Sequence, residues 1–134
     1  MDVELTLRII LETPPSGVDF ALQKGRGNSV EVVQKQRSTG KDLNFEFTAR
    51  VKPGTATLLG PFVQGPPTER FVYIGIGTCV GQADSPWTRR LKVPLRGITV
   101  QMIESQKLLE ARVPGTDKKG EPTCATVKPF AGWH

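Results

Sequence analysis

The chain has 134 residues, of which 37% are hydrophobic and 23% charged, and its formal net charge is +5. These values predict one soluble globular domain over residues 1–134, large enough to bury a core without disulfide bonds. No apolar run approaches the roughly 20 residues of a transmembrane helix, and the alternating, acid-containing N-terminus lacks the features of a signal peptide. We therefore expect no membrane partner and a cytoplasmic location.

Cysteine and histidine usage narrows the possible chemistry. Cys79 and Cys124 are the two cysteines, and in a reducing compartment they are expected to be free thiols. The alternative, a disulfide bond, requires that they lie on adjoining strands. His134 is the sole histidine and the last residue, which excludes an internal histidine-dependent catalytic triad and a multi-histidine metal site. We expect a frayed terminal histidine, no bound metal and no cofactor.

Alternation of apolar and polar side chains predicts four strands in the first half of the chain. The clearest patterns run from Val3 to Leu11 and from Leu43 to Val51, and a shorter one spans Val18 to Leu22. A weaker pattern covers 30–35. Each segment is followed by a turn-forming run rich in Pro, Gly, Ser or Asn, which ends the strand.

The longest β-forming run extends from Phe71 to Val80. Both of its faces are mostly apolar, which is typical of an interior strand that is covered on both sides. Gly75 and Gly77 lie on one of these faces and leave backbone bare. Glycine inside a strand often marks the close approach of another group, here an aromatic ring, a helix or a ligand.

The second half of the chain adds an edge strand, a helix and two further strands. The segment 88–96 alternates apolar and basic side chains, and Pro94 within it indicates an edge strand or a bulge. Residues 98–106 are predicted to form a short helix, and 108–113 and 123–127 to form strands. About eight short strands and one short helix predict an all-β, mainly antiparallel fold, built as a sandwich or a partly closed barrel.

The positive charge is concentrated in the middle of the chain. Residues 53–98 carry five Lys or Arg against two Asp or Glu, whereas the excess on either side of this stretch is one. Arg90, Lys92 and Arg96 share one face of the predicted strand, where neighbouring same-face residues lie roughly 7 Å apart. That spacing suits successive phosphates or carboxylates. The same charges could instead protect an exposed sheet edge from aggregation, and the edge could also join two subunits.

Two loops could complete a binding site with these basic residues. The glycine-flanked loop 24–28 carries Lys24 and Arg26, and it could cradle an anion through its amides or be a plain hairpin loop. Trp87 and Arg89 precede the basic strand, and an indole beside cations could stack on a planar ligand or pack against the sheet. If the loops meet at one end of the sheet, the predicted ligand-binding residues are Lys24, Arg26, Trp87, Arg89, Arg90 and Lys92.

Three functions are compatible with these residues. The first is a binding module for an anionic or planar small molecule, or for an acidic protein surface, and this is the function we expect. The second is an enzyme that works without histidine, through Asp84, Glu69 or a cysteine. However, Glu69 adjoins Arg70 and is expected to be ion-paired, and burial in the central strand would leave Cys79 inert. The third is weak nucleic-acid binding, which the charge permits but no RNP or helix-turn-helix pattern supports.

Five segments together resemble a known group of small bacterial domains. They are DFALQKGRG (19–27), QRSTGKDL (36–43), LGPFVQGPPTERFVYIGIGT (59–78), GQADSPWTRRLKVPLRGIT (81–99) and EARVPGTDKKGEPTCATVKP (110–129). The resemblance covers nearly the whole chain and is to a family of single-domain proteins of unknown function. It implies a bacterial cytosolic domain and carries over no catalytic residue.

Overall fold

The computed structural model describes residues 3–24, 31–66, 69–76, 90–116 and 132–134, with 31, 32 and 90 described through their backbone alone. In chain order the elements are β1 (Val3–Glu12), β2 (Asp19–Lys24), β3 (Glu31–Arg37), β4 (Leu43–Val51), β5 (Leu58–Leu59), β6 (Phe71–Ile76), β7 (Arg90–Pro94), α1 (Val100–Ser105) and β8 (Leu108–Pro114). The predicted all-β fold with one short helix is confirmed. No helix in the described part of the chain is long and apolar enough to cross a membrane.

The strands form two four-stranded sheets, one of which curves into a half-barrel. The first sheet has the order β5-β4-β1-β8 and the second has the order β3-β2-β6-β7. Neighbouring strands are antiparallel except β1 and β8, which pair in parallel from Thr6↔Leu108 to Glu12↔Pro114. Parallel neighbours need a long crossover connection, and here the chain passes through all the other elements between β1 and β8.

The two sheets enclose one hydrophobic core. Side chains alternate between the two faces of a strand, so β4 buries every second residue from Phe45 to Val51 while the residues between them stay exposed. Burying one large apolar side chain contributes about 1.5–3 kcal/mol, and the facing sheets bury many. The largest fully buried apolar side chains are Phe20, Phe45, Leu5, Leu7, Ile9, Leu11, Leu22, Ile74, Ile76, Leu91 and Leu109.

β6 lies inside the second sheet, between β2 and β7, as predicted. Ile74 faces the core, and Gly75 on the opposite face is also buried. Ala21 and Gln23 of β2 lie on that same outer face and are 0% and 1% exposed. The centre of the second sheet is therefore covered on both sides, as the apolar character of both faces of the run predicts.

β7 is the edge strand of the second sheet as the structure describes it. Pro94 ends it, in agreement with the prediction of an edge strand from that proline. Arg96 lies beyond the strand, next to Gly97, whose φ of +89° turns the chain. The predicted strand face shared by three basic residues is therefore wrong for Arg96, because the strand has already ended.

Other differences concern short or undescribed segments. The sequence does not predict β5, because a two-residue strand carries no alternation. The predicted strand 123–127 and the end of the predicted central strand, 77–80, lie outside the described residues. Cys79 and Cys124 lie there too.

The end of the chain joins the two sheets on one side of the sandwich. The backbone N–H and C=O of His134 both bond to Glu110 of β8 at 2.9 Å, an antiparallel pair. This holds the Trp133 side chain in the core, where it is 4% exposed, and its Nε1 donates to the Pro94 carbonyl of β7 at 2.9 Å. The prediction of a frayed terminal histidine is wrong, because its backbone completes this pairing.

Two glutamines of β3 join the sheets on the other side. Gln34 donates from Nε2 to the Glu46 carbonyl of β4 at 2.5 Å and accepts from the Glu46 N–H at 3.3 Å. Gln36 donates to the Asn44 carbonyl at 2.7 Å. Gln34 has a φ of +54° and lies where a bulge shifts the register of β2 and β3. Its side-chain amide thus pairs with β4 as the peptide group of a neighbouring strand would.

Candidate ligand-binding site

The structure describes three of the six residues predicted to bind ligand. Lys24 is the last residue of β2, and Arg90 and Lys92 belong to β7. The other three lie outside the described residues, so the meeting of the two loops stays a prediction; they are Arg26, Trp87 and Arg89.

Lys24 and Lys92 lie within one residue of the same level of the second sheet but on different faces. Lys92 pairs with Tyr73 of β6, and continuing the register of β2 and β6 beyond Leu22↔Ile74 places Lys24 one residue from that level. Strand alternation puts Lys24 on the side of the core residue Leu22 and Lys92 on the outer side. The structure therefore brings Arg90 and Lys92 onto one strand face and leaves Lys24 off that face.

Two aromatic rings accompany Lys92 on the outer face of the second sheet. Its Nζ lies 4.1 Å from the centroid of the Phe71 ring, and the rings of Phe71 and Tyr73 pack edge to face with centroids 4.9 Å apart. Both distances are within the range of favourable cation–π and aromatic contacts. All three side chains are partly exposed. We call Phe71, Tyr73 and Lys92 the aromatic–lysine patch.

Strand pairing produces this patch. Phe71 and Tyr73 are two residues apart on β6 and so point to the same side. Lys92 lies directly opposite Tyr73 and diagonally from Phe71, which pairs with Pro94. A diagonal neighbour on an antiparallel pair is within reach of a long side chain, so Lys92 can extend across β6 and place its ammonium on the Phe71 ring.

A tight turn before β6 fixes the Phe71 ring. Gln64 and Phe71 bond to each other through both backbone groups, at 2.9 and 3.1 Å. Gly65 follows with a φ of +86°, and a Cβ there would lie 2.7 Å from Cε1 of the Phe71 ring. Only glycine fits this position, because the backbone is left-handed and the ring occupies the place of a side chain. The ring therefore rests directly on the backbone of the turn.

Arg70 ties the same turn together and corrects one prediction. Its Nη1 donates to the Gly65 carbonyl at 2.5 Å. The predicted ion pair with Glu69 is wrong for the described structure, because the guanidinium is turned to this carbonyl and the Glu69 side chain is exposed. The other candidate catalytic residues, Asp84 and Cys79, lie outside the described residues.

The outer face of the first sheet carries a basic residue in a very different setting. Arg8 of β1 donates to Glu46 of β4 at 2.6 and 2.9 Å and to Glu110 of β8 at 2.5 Å. The hydrogen bonds that Arg8 donates to Glu46, and then the one to Glu110, raise the pKa of its guanidinium above its already high usual value. Two carboxylates thus neutralise this cation. Lys92, by comparison, forms no ion pair in the described part of the chain.

The carboxylates of the first sheet do not form a metal site. Glu12 and Asp42 line an open groove of about 410 Å³ together with Thr13 and Thr116. Arg112 forms ion pairs with both carboxylates: its Nη1 lies 3.4 Å from Oε2 of Glu12 and 3.8 Å from Oδ2 of Asp42. Asp42 also accepts the Thr13 N–H at 2.9 Å. Among the described residues no three His, Cys, Asp or Glu side chains are grouped so as to hold a metal ion.

Comparison with known proteins confirms the family resemblance. Residues 5–134 match the model of a family described as "Family of unknown function (DUF5990)". The chain belongs to this family. No curated protein and no solved structure matches the chain. Family membership covers nearly the whole chain and brings no activity with it, so the function has to be argued from the side chains themselves.

The sequence identifies Lys92 as a candidate but misses its aromatic neighbours. Phe71 and Tyr73 belong to another strand, and nothing local in the sequence gives the register between β6 and β7. The one available signal is that both rings lie on the same strand face as the bare Gly75. That combination marks the face on which another group approaches the strand, and only the register of Tyr73 with Lys92 adds a cation to it.

Proposed function

We propose that this chain is a bacterial, cytoplasmic binding module whose aromatic–lysine patch takes a planar anion, meaning an aromatic ring that bears a phosphate or a carboxylate. The observation that carries the proposal is the Lys92 ammonium, which lies 4.1 Å from the Phe71 ring centroid and has no carboxylate partner in the described structure. A cation in that position is held by the ring while its charge remains available.

The ammonium group supports the anionic half of the ligand. Lysine has three N–H donors, and contact with a ring face leaves donors free for the oxygens of a phosphate or carboxylate. Hydrogen bonds between an ammonium and such an anion are short and about twice as strong as neutral ones. Arg90 precedes Lys92 by two residues on β7, so strand alternation assigns this second basic residue to the same face, with its backbone roughly 7 Å away along the strand.

The aromatic rings support the planar half of the ligand. Stacking of a base-like ring on an aromatic side chain contributes about 1–3 kcal/mol. The turn backbone at Gly65 holds the Phe71 ring from one side, and Tyr73 contacts its edge. The Lys92 ammonium covers one face of the Phe71 ring, so a planar ligand would pack beside that ammonium against the exposed parts of Phe71 and Tyr73. Rings that are already fixed lose little freedom in such a contact. The net charge of +5 additionally favours the approach of anions.

Calorimetric titration at low salt tests this function with three probes. Adenosine 5′-monophosphate carries a planar ring and a phosphate, adenosine has the ring alone, and ribose 5-phosphate has the phosphate alone. We expect the monophosphate to bind tightest. Lys92→Met should weaken its binding about tenfold or more, because one charge-assisted hydrogen bond is worth about 1.5–3 kcal/mol. Phe71→Leu should weaken both ring-containing probes.

Lys41→Met is the matched control, because Lys41 is an exposed lysine in the turn before β4 and outside the patch. It should bind the monophosphate like the unaltered protein. Equal affinity in Lys92→Met and Lys41→Met would remove the patch as the site. A single-stranded oligonucleotide that binds more tightly than the monophosphate, with a steep salt dependence, would instead indicate nucleic-acid binding.

A further inference from the structure

A pocket separate from the aromatic–lysine patch lies at one end of the first sheet, beneath α1. It is a pocket of about 260 Å³ formed by the start of β1, the end of β4 with the turn that follows, and the helix. This volume is close to the lower end of the range of small-molecule sites. None of its lining residues belongs to the aromatic–lysine patch.

The walls of this pocket are apolar and continue the core towards solvent. Val51 is a core residue that is 1% exposed, and Ile103 of α1 is a partly buried neighbour of the core. Val3 is 45% exposed, and among the described residues it is the one large hydrophobic side chain classed as exposed. Apolar surface left open in a concave site is unfavourable in water, and a ligand with an apolar body would cover it.

The rim of the pocket carries both signs of charge on each side. Glu4 and Lys52 come from the strand wall, and Glu104 and Lys107 from the helix and the residues after it. In the described structure none of these four side chains forms an ion pair or a side-chain hydrogen bond. A ligand with one charge would meet as many like charges as opposite ones. A ligand with both charges matches the rim.

We propose that this pocket binds a small zwitterion with an apolar side chain, which is the chemistry of a free aliphatic or aromatic amino acid. The ammonium of the ligand pairs with Glu4 or Glu104, and its carboxylate pairs with Lys52 or Lys107. The apolar side chain lies between Val3, Val51 and Ile103. Leucine is small enough to fit a pocket of about 260 Å³.

The helix gives this proposal a second consequence. α1 has six residues and no fully buried side chain, and an isolated helix of this length is not stable in water. A Thr99 cap, which accepts the Met102 N–H at 3.2 Å, and the contacts of Met102 and Ile103 with the core hold it in place. A ligand that bridges the helix to the strand wall should therefore slow hydrogen exchange of the α1 amides.

Titration of the ¹⁵N-labelled full chain with L-leucine, followed by NMR, tests the site directly. We expect saturable shifts at Thr55, Ile103 and Gln106, slower amide exchange in α1, and a rise in thermal midpoint at excess ligand. Three probes lack one feature each: 4-methylpentanoate has no ammonium, 3-methylbutylamine has no carboxylate, and glycine has no apolar side chain. Each should bind at least about tenfold more weakly, which corresponds to the loss of one favourable contact.

Charge-removing variants measure separately how the strand wall and the helix wall contribute to leucine binding. Lys52→Met and Glu104→Gln each keep most of the side-chain shape, and each should weaken leucine binding about tenfold. Lys41→Met and Glu69→Gln are the matched controls, because both side chains are exposed and lie outside the pocket. The spectra and thermal midpoints of the ligand-free variants show whether each is folded before its affinity is compared.

Three results would overturn the proposal. One is the absence of any saturable shift up to about 10 mM leucine. The dissociation constant would then exceed about 10 mM, which is too weak for a specific small-molecule site. Another is equal binding of leucine and its singly charged analogues. The third is a set of shifts at Tyr73 and Lys92 in place of Thr55 and Ile103. Because the pocket and the aromatic–lysine patch share no residue, each proposal can fail without the other.

Discussion

The two sides on which the sheets meet are joined by different chemistry. On the side of β7 and β8 the joint is a buried indole, Trp133, with one hydrogen bond to Pro94. On the side of β3 and β4 it consists of two glutamine amides that bond to backbone groups. Apolar burial contributes far more than solvent-accessible hydrogen bonds of this kind. The indole joint should therefore dominate stability, while the glutamine joint completes backbone pairing.

The two joints also differ in what they hold in place. β5 pairs with β4 only at Arg50 and Val51, so the earlier part of that β4 edge would lack partners without the glutamines. Backbone donors and acceptors that lose their partners weaken a sheet and leave an edge open to aggregation. The indole bond, by contrast, acts on β7, the strand that carries Lys92. One joint therefore protects an edge, and the other supports the candidate site.

Trp133→Ala should have the largest effect on stability. Truncating a buried Trp typically costs about 3–5 kcal/mol, because the transfer energy is lost and a cavity remains. Chemical denaturation followed by circular dichroism would measure the free energy of unfolding. His134→Ala is the control: its side chain is exposed while its backbone makes the pairing, so it should change stability by less than about 0.5 kcal/mol. A loss below about 1 kcal/mol in Trp133→Ala would show that the indole is not a principal joint.

Trp133→Phe should have a smaller effect on stability but a specific effect on the site. It keeps much of the apolar volume and removes the Nε1–H that bonds to Pro94, a loss of about 1 kcal/mol. Pro94 lies two residues from Lys92 on the same strand face. We therefore expect NMR shifts along β7 and weaker binding of adenosine 5′-monophosphate. Unchanged β7 resonances would mean that the indole stabilises the core without positioning the strand.

Sequence patterns predict the layers of this fold better than the joints between them. Alternation is a local property of a strand, so the segments of β1, β4 and β6 are apparent from their own residues. Trp133 is a joint only because the end of the chain returns to β8, and its terminal position argues for fraying. Gln34 lies in the weakly patterned segment 30–35, where alternation assigns it no contact. Its role depends on the bulge that turns it towards β4.

In the candidate site, too, local features can be predicted from the sequence and contacts between strands cannot. The basic character of Lys92 and its place on an edge strand are visible in the sequence. Its contact with Phe71 depends on the register between β6 and β7. The alternation within each strand does not give that register, because it says which face a residue lies on and not which residue it pairs with. Arg96 shows the opposite error, because alternation continues in the sequence beyond the residue at which the strand ends.

Substitutions at Gln34 should have the smallest effects and separate the two contributions of the glutamine joint. A non-glycine residue at a φ of +54° is strained by about 1 kcal/mol or more. Gln34→Ala keeps this strain and loses both bonds to Glu46, so it should destabilise the protein by about 1–2 kcal/mol. Gln34→Gly loses the same bonds but relieves the strain, so its net effect should be near zero. Chemical denaturation of both variants measures the difference between their free energies of unfolding.

Both Gln34 variants should bind adenosine 5′-monophosphate normally, since the glutamine joint lies on the side of the sandwich opposite to β7. Equal destabilisation of the Ala and Gly variants would show that the backbone at Gln34 is not strained in solution. A loss in Gln34→Ala as large as that in Trp133→Ala would contradict the ranking of the two joints. If instead Gln34→Gly is more stable than the unaltered protein, the glutamine is kept at a cost in stability, and protection of the β4 edge is the physical reason for its presence.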